Sequence, residues 1–164
     1  MESTVSRKDP TTYLNDHLAG SVMALELLDH MLELRRGKPE ERVVAQIRSE
    51  VEEDQKTLQT LLHGIGGKES RVRQAAAWLT EKLARAKLSL DDSGSGELQW
   101  LQALEAVALG IQGKAALWRA LAVAPARAPE LGRPDYAALE RRALDQFQRV
   151  ETLRLQAARV ALSL

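Results

Sequence analysis

The chain has 164 residues, 23 basic and 23 acidic side chains, and no cysteine. These numbers exclude disulfides, thiolate metal sites and a cysteine nucleophile, and the balanced charge argues against a dedicated nucleic-acid binder. Aromatics make up 4% of the chain and Ala and Leu dominate the apolar 45%, which is the composition of packed helices in a single domain.

The segment Met1 to Pro10 has no apolar stretch of the secretory kind. No run of about 18 apolar residues follows it, so the expectation is a cytoplasmic protein with no membrane span and no nucleic-acid partner. Residues 1–11 read as a flexible tail, and 12–164 as one helical-bundle domain. The neutral total hides an asymmetry: residues 1–63 carry 12 acids against 8 bases, and residues 64–90 carry 6 bases against 2 acids. The two segments can complement each other within the fold, the basic one reading as a solvated face, with contact to an anionic partner as the alternative.

Five helices are predicted in order. Asp9-Pro10-Thr11-Thr12 opens the first, about 12–36, and Arg35-Arg36-Gly37 closes it. Leu14, Leu18, Val22, Leu25 and Leu32 form its stripe. Pro39-Glu40-Glu41 opens the second, about 40–63, striped by Val43, Ile47, Val51, Leu58 and Leu61 and ended by Gly64-Ile65-Gly66-Gly67. The short link makes these two antiparallel neighbours. A third amphipathic stretch covers about 70–89. After the turn-rich Asp91 to Gly96, a fourth helix, about 97–123, buries Trp100, Leu104, Val107, Ile111, Ala115 and Trp118. Pro125, Pro129 and Pro134 keep the next connection extended, and Asp135 caps a fifth helix, about 135–162, with Tyr136, Ala143, Phe147, Val150, Ala158 and Ala161 inward. No strand pattern competes. The stretch 70–89 is long enough to carry the chain back along a bundle, giving an up-down-down-up four-helix bundle with an additional crossover helix. A plain up-down five-helix array is the alternative.

Polar residues inside apolar stripes carry the functional information, because a buried polar group needs a partner. Asp29 continues the stripe of the first helix. Glu50 and Asp54 lie within that of the second, Glu105 borders the fourth, and Glu151 and Arg154 lie among Phe147, Val150 and Ala158. Counting from helix ends puts a carboxylate of every helix in one slab, the convergence a bridged di-metal site requires.

On these residues the chain resembles the ferritin-like superfamily. Its di-iron members carry Glu on the first bundle helix, Glu-x-x-His on the second, Glu on the third and Glu-x-x-His on the fourth. Glu26, Glu50 or Glu53, Glu105 and Glu151 stand where those carboxylates would be. The histidines are not matched: Arg154 follows Glu151 by three, Lys56 follows Glu53, and Glu53 follows Glu50. A guanidinium cannot deprotonate to ligate a metal, and it neutralises carboxylates itself. The resemblance therefore implies a diverged member with a degenerate site, in which Asp29, Glu50, Asp54, Glu151 and Arg154 form a buried polar network and no cofactor is bound.

The functional expectation is a scaffold or interaction protein with no catalytic residues. A second reading is an iron- or manganese-binding oxidoreductase or storage protein using Glu50, Asp54, Glu105 and Glu151. A third is a sensor that binds a small molecule in a bundle cavity beside the tryptophans. Met23, Leu27 and Leu34 on the first helix, and Ala106, Gly110, Gly113 and Leu117 on the fourth, form extra apolar stripes. The crossover helix covers one, and a symmetric homodimer is expected to cover the other. His17 reads as a boundary histidine, and Glu26 with His30 as a solvated pair.

Overall fold

A computed structural model of the protein describes residues 10–69, 81, 96–125 and 133–163. Among the described residues the secondary structure is helical throughout: α1 (Pro10–Leu34), α2 (Glu41–Gly64), α3 (Gly96–Val123) and α4 (Tyr136–Ala161). The crossover helix expected at about 70–89 lies outside the described residues, Glu81 excepted.

Helix ends follow local chemistry. Gly37 adopts φ 75° after α1, a left-handed turn open to glycine at no steric cost, and its N–H donates to Glu41 Oε2 at 2.6 Å. Gly66, at φ 76°, plays the same part after α2. Gly67 follows in close contact, where an added Cβ would lie 2.4 Å from Leu62 Cδ1. Asp135 caps α4 by accepting from the Ala138 N–H at 2.9 Å.

Cross-helix pairs give the helix directions. Asp29 meets Arg48 and Ser21 meets Gln55, so α1 and α2 are antiparallel. Arg35 meets Glu97 and His30 meets Gln99 between α1 and α3. Arg119 meets Glu140 and Lys114 meets Gln146 between α3 and α4, while Glu53 meets Arg142 and Glu50 meets Arg149 between α2 and α4. Every neighbouring pair is antiparallel, so α2 and α3 run the same way. The end of α2 and the start of α3 consequently lie at opposite ends of the bundle.

Trp100, Trp118, Leu18, Leu28, Ile47, Leu62, Leu104 and Val150 fill the core between the helices. The six residues expected to face inward on α3 do so. Two other faces are rotated from expectation. On α1 the buried positions include Leu28 and Met31, and Val22, Leu25 and Leu32 are half-buried. On α4 the buried column is Ala143, Gln146, Val150, Leu153 and Ala157, a regular three-four spacing, while Phe147, Ala158 and Ala161 flank it. Among the described residues no helix is long and apolar enough to cross a membrane.

Arg35 ties the end of α1 to the start of α3. It is 4% exposed, donates twice to Glu97 at 2.9 and 2.7 Å, and lies 4.4 Å from the centre of the Trp100 ring. Those hydrogen bonds hold the Glu97 carboxyl below its ordinary pKa, against partial desolvation. Arg35→Ala is expected to lower the unfolding free energy by about 1–3 kcal/mol, read from the urea midpoint at constant slope.

Candidate functional site

The stripe of α2 runs Ile47, Val51, Asp54, Leu58, so helical geometry sends a carboxylate into the core. Asp54 is 2% exposed, and both of its oxygens are bound by cations from other helices. Oδ2 accepts from Lys114 Nζ of α3 at 2.5 Å, and Oδ1 accepts from the Arg142 guanidinium of α4. Lys114 Nζ also donates to Gln146 Oε1 at 2.5 Å. Gln146, fully buried, passes the chain on by donating to Glu50 Oε2 at 3.0 Å, which also accepts from Arg149 at 2.5 Å. Arg142 closes the outer side by donating to Glu53 at 3.0 Å. Arg142, Gln146 and Arg149 share one edge of α4, being four and three residues apart.

The charges shape one another. Burial pushes the Lys114 ammonium below the usual lysine value, opposed by Asp54 and reinforced by the like charge of Arg142. At Glu50 burial acts to raise the pKa, but the Arg149 and Gln146 hydrogen bonds together outweigh it and hold the carboxyl below its ordinary value.

Beside this cluster lies a cavity of about 240 Å³ between α1, α2 and α3. Its walls are mainly apolar, from Leu28, Val51, Val107, Ile111 and Trp118, with Asp54 and Lys114 as the charged wall toward the cluster and Asp16 and His17 contributed by α1. Gly20, Gly110 and Gly113 also line it, and an added Cβ at any of them would meet nothing within 4 Å. Burial lowers the His17 imidazole pKa, with Asp16 opposing, so the ring is neutral at pH 7. It stands edge-on to Tyr13 at 4.8 Å. Trp118 is 1% exposed, and its indole N–H has no acceptor among the described residues.

The structure distributes the residues singled out from sequence among separate groups. Glu50 and Asp54 lie in the cluster, but their cations are Arg149, Lys114 and Arg142 in place of Arg154. Arg154 pairs with Glu151 at 2.7 Å one turn away and reaches Glu105 at 3.7 Å, all at the bundle surface. Asp29 is half-exposed and binds Arg48 at 2.7 Å. Lys114, and not Glu105, is the α3 residue that reaches Asp54, and the two α3 positions are about 14 Å apart along the axis. Glu105 and Glu151 thus do not converge with Glu50 and Asp54. Among the described residues no three His, Asp or Glu side chains are grouped to hold a metal ion.

Lys114, Arg142, Gln146 and Arg149 do not figure among the residues singled out from sequence. Lys114 carried a signal: between Ala106 and Trp118 it is the one charged residue, three after Ile111 and four before Trp118. Gln146 carried another, in the three-four column of α4.

Comparison of the chain with family models, curated proteins and solved structures returns no match.

Asp54→Ala leaves Lys114 buried without its counter-ion, so stability is expected to fall by about 3–5 kcal/mol in denaturant unfolding. The double variant Asp54→Asn, Lys114→Met is expected to recover a large part of that loss. Because Glu50 has a lowered folded pKa, its contribution is present above its ordinary value near 4.5 and is lost as pH falls through the folded value. Acid unfolding followed by circular dichroism is therefore expected to show a shallower loss of stability below pH 4.5 in Glu50→Gln.

Proposed function

We propose that this protein binds a small, largely apolar molecule in the cavity between α1, α2 and α3. The observation that carries the reading is the cavity itself: about 240 Å³ of apolar-walled space with a buried ion pair on one side. Ligand sites characteristically combine apolar walls with a few placed polar groups. The volume falls below the roughly 300–1,000 Å³ of drug-sized sites, which points to a compact ligand. The one cation of the lining, Lys114, is already paired with Asp54, so a neutral ligand fits better.

In this reading the bundle is a diverged ferritin-like scaffold turned from metal to ligand binding. Support comes from the cluster: Lys114, Arg142 and Arg149 satisfy the carboxylates of Asp54 and Glu50, the work a metal pair would do at that level of such a bundle.

Titration with small neutral aromatics, beginning with benzyl alcohol, followed by thermal shift and tryptophan fluorescence, tests the proposal. Saturable binding is expected, with stabilisation of about 2.7 kcal/mol at a hundredfold excess over Kd. Gly110→Leu with Gly113→Leu fills the open space and improves helix propensity by about 1 kcal/mol at each position, so binding is expected to vanish while the fold holds. Equal responses in the wild type and the filled variant would sink the reading.

A further inference from the structure

We infer that Lys114 captures neutral carbonyl compounds, aldehydes or ketones, as a protonated imine within the cavity. The inference rests on the cavity-binding reading and names the ligand class for it. Lys114 is the one amine among the residues lining the cavity. Its Nζ is held rather than mobile, at 2.5 Å from both Asp54 Oδ2 and Gln146 Oε1. An ammonium has three N–H donors, and these two acceptors leave the third without a partner among the described residues.

Imine formation needs a neutral amine at the moment of attack, and three features favour it. The site is largely desolvated, Arg142 competes for the same Asp54 carboxylate, and Asp54 stands within proton-transfer distance. Desolvation also lowers the lysine pKa, in agreement with the geometry. Lys114 passes a proton to Asp54 Oδ2, and the Nζ lone pair then forms the bond to the carbonyl carbon. The resulting alkoxide takes a proton from the attacking nitrogen to give a neutral carbinolamine. Loss of its hydroxyl as water, using the proton returned by Asp54, leaves the protonated imine. The reactants are an ammonium and a neutral carbonyl, and the products are an iminium and water, so atoms and charge balance without an oxidant or reductant.

This balance decides the ligand class. The iminium carries the same positive charge as the ammonium, so the attraction to buried Asp54 survives the reaction. Acylation of the same nitrogen would destroy that charge and leave Asp54 with Arg142 as its one cation.

The test is reductive trapping of the full-length protein at pH 7 with benzaldehyde and cyanoborohydride, read by intact mass and peptide mapping. One benzyl group at Lys114 is expected, formed at least about tenfold faster than at the exposed Lys38, Lys56 and Lys68, since the cavity holds the aldehyde beside a desolvated amine. The α-amino group is the other amine with a low pKa, near 7.7–8.0, and mapping separates it. Lys114→Arg keeps the charge and should lose the adduct, its fold checked by circular dichroism. Labelling of Lys114 no faster than of the exposed lysines would overturn the inference, a result the wild type alone delivers. Saturable binding of benzyl alcohol with no Lys114 adduct overturns the imine and leaves the cavity reading standing. Absence of both overturns the two together.

Discussion

The buried carboxylate of Asp54 is the constraint around which three of the four described helices are arranged. It sits in the apolar stripe of α2, where desolvating an unpaired charge would cost several kcal/mol. Lys114 and Arg142 meet that demand from two other helices, one on each oxygen. The pairing sets the height of α2 against both α3 and α4, and the Gln146–Glu50–Arg149 chain repeats that register one turn further along. Since a buried pair adds little net stability over a packed apolar substitute, its structural consequence is register: a slide of any one helix by a turn would strand a charge.

α1 is attached differently. Arg35 on Glu97, Arg48 on Asp29, and Gln55 on Ser21 hold its edges, and none of them enters the Asp54 cluster. Where α1 faces α3, the residues are small: Gly20 and Ala24 on one side, Gly110 and Gly113 on the other. Large side chains elsewhere along the pair, Leu28, Leu117 and Trp118 among them, keep the helices too far apart for these small residues to meet. A half-open cleft results beside the charged cluster, with Lys114 on its wall.

Much of the fold was legible in the sequence. Pro39, Gly37, Gly66 and Asp135 stand within a few residues of the helix ends that they mark, because caps and turns depend on neighbours in the chain. The inward face of α3 was legible too, since tryptophans and aliphatics dominate one side. The face of α1 was not. Apolar residues surround much of that helix, so a stripe through Leu25 and Leu32 looks as good as the observed one through Leu28 and Met31. The difference is one position, and it moves Asp29 from the core to the surface. On α4 a similar rotation buries Gln146 and leaves Arg154 with Glu151.

The sequence by itself determined the helical class, the extent of each described helix and the inward placement of Glu50 and Asp54, since all three depend on spacing along a single helix. Only the tertiary structure decided which cations answer those carboxylates and that a cavity lies beside them. A salt bridge between helices depends on their relative height and rotation. Those two quantities are set by contacts between helices, the Arg35–Glu97 tie among them, which no one segment encodes. Lys114 illustrates the division: a lone charge in an apolar run marks it as unusual, but its position 60 residues from Asp54 in the chain and 2.5 Å away in space belongs to packing alone.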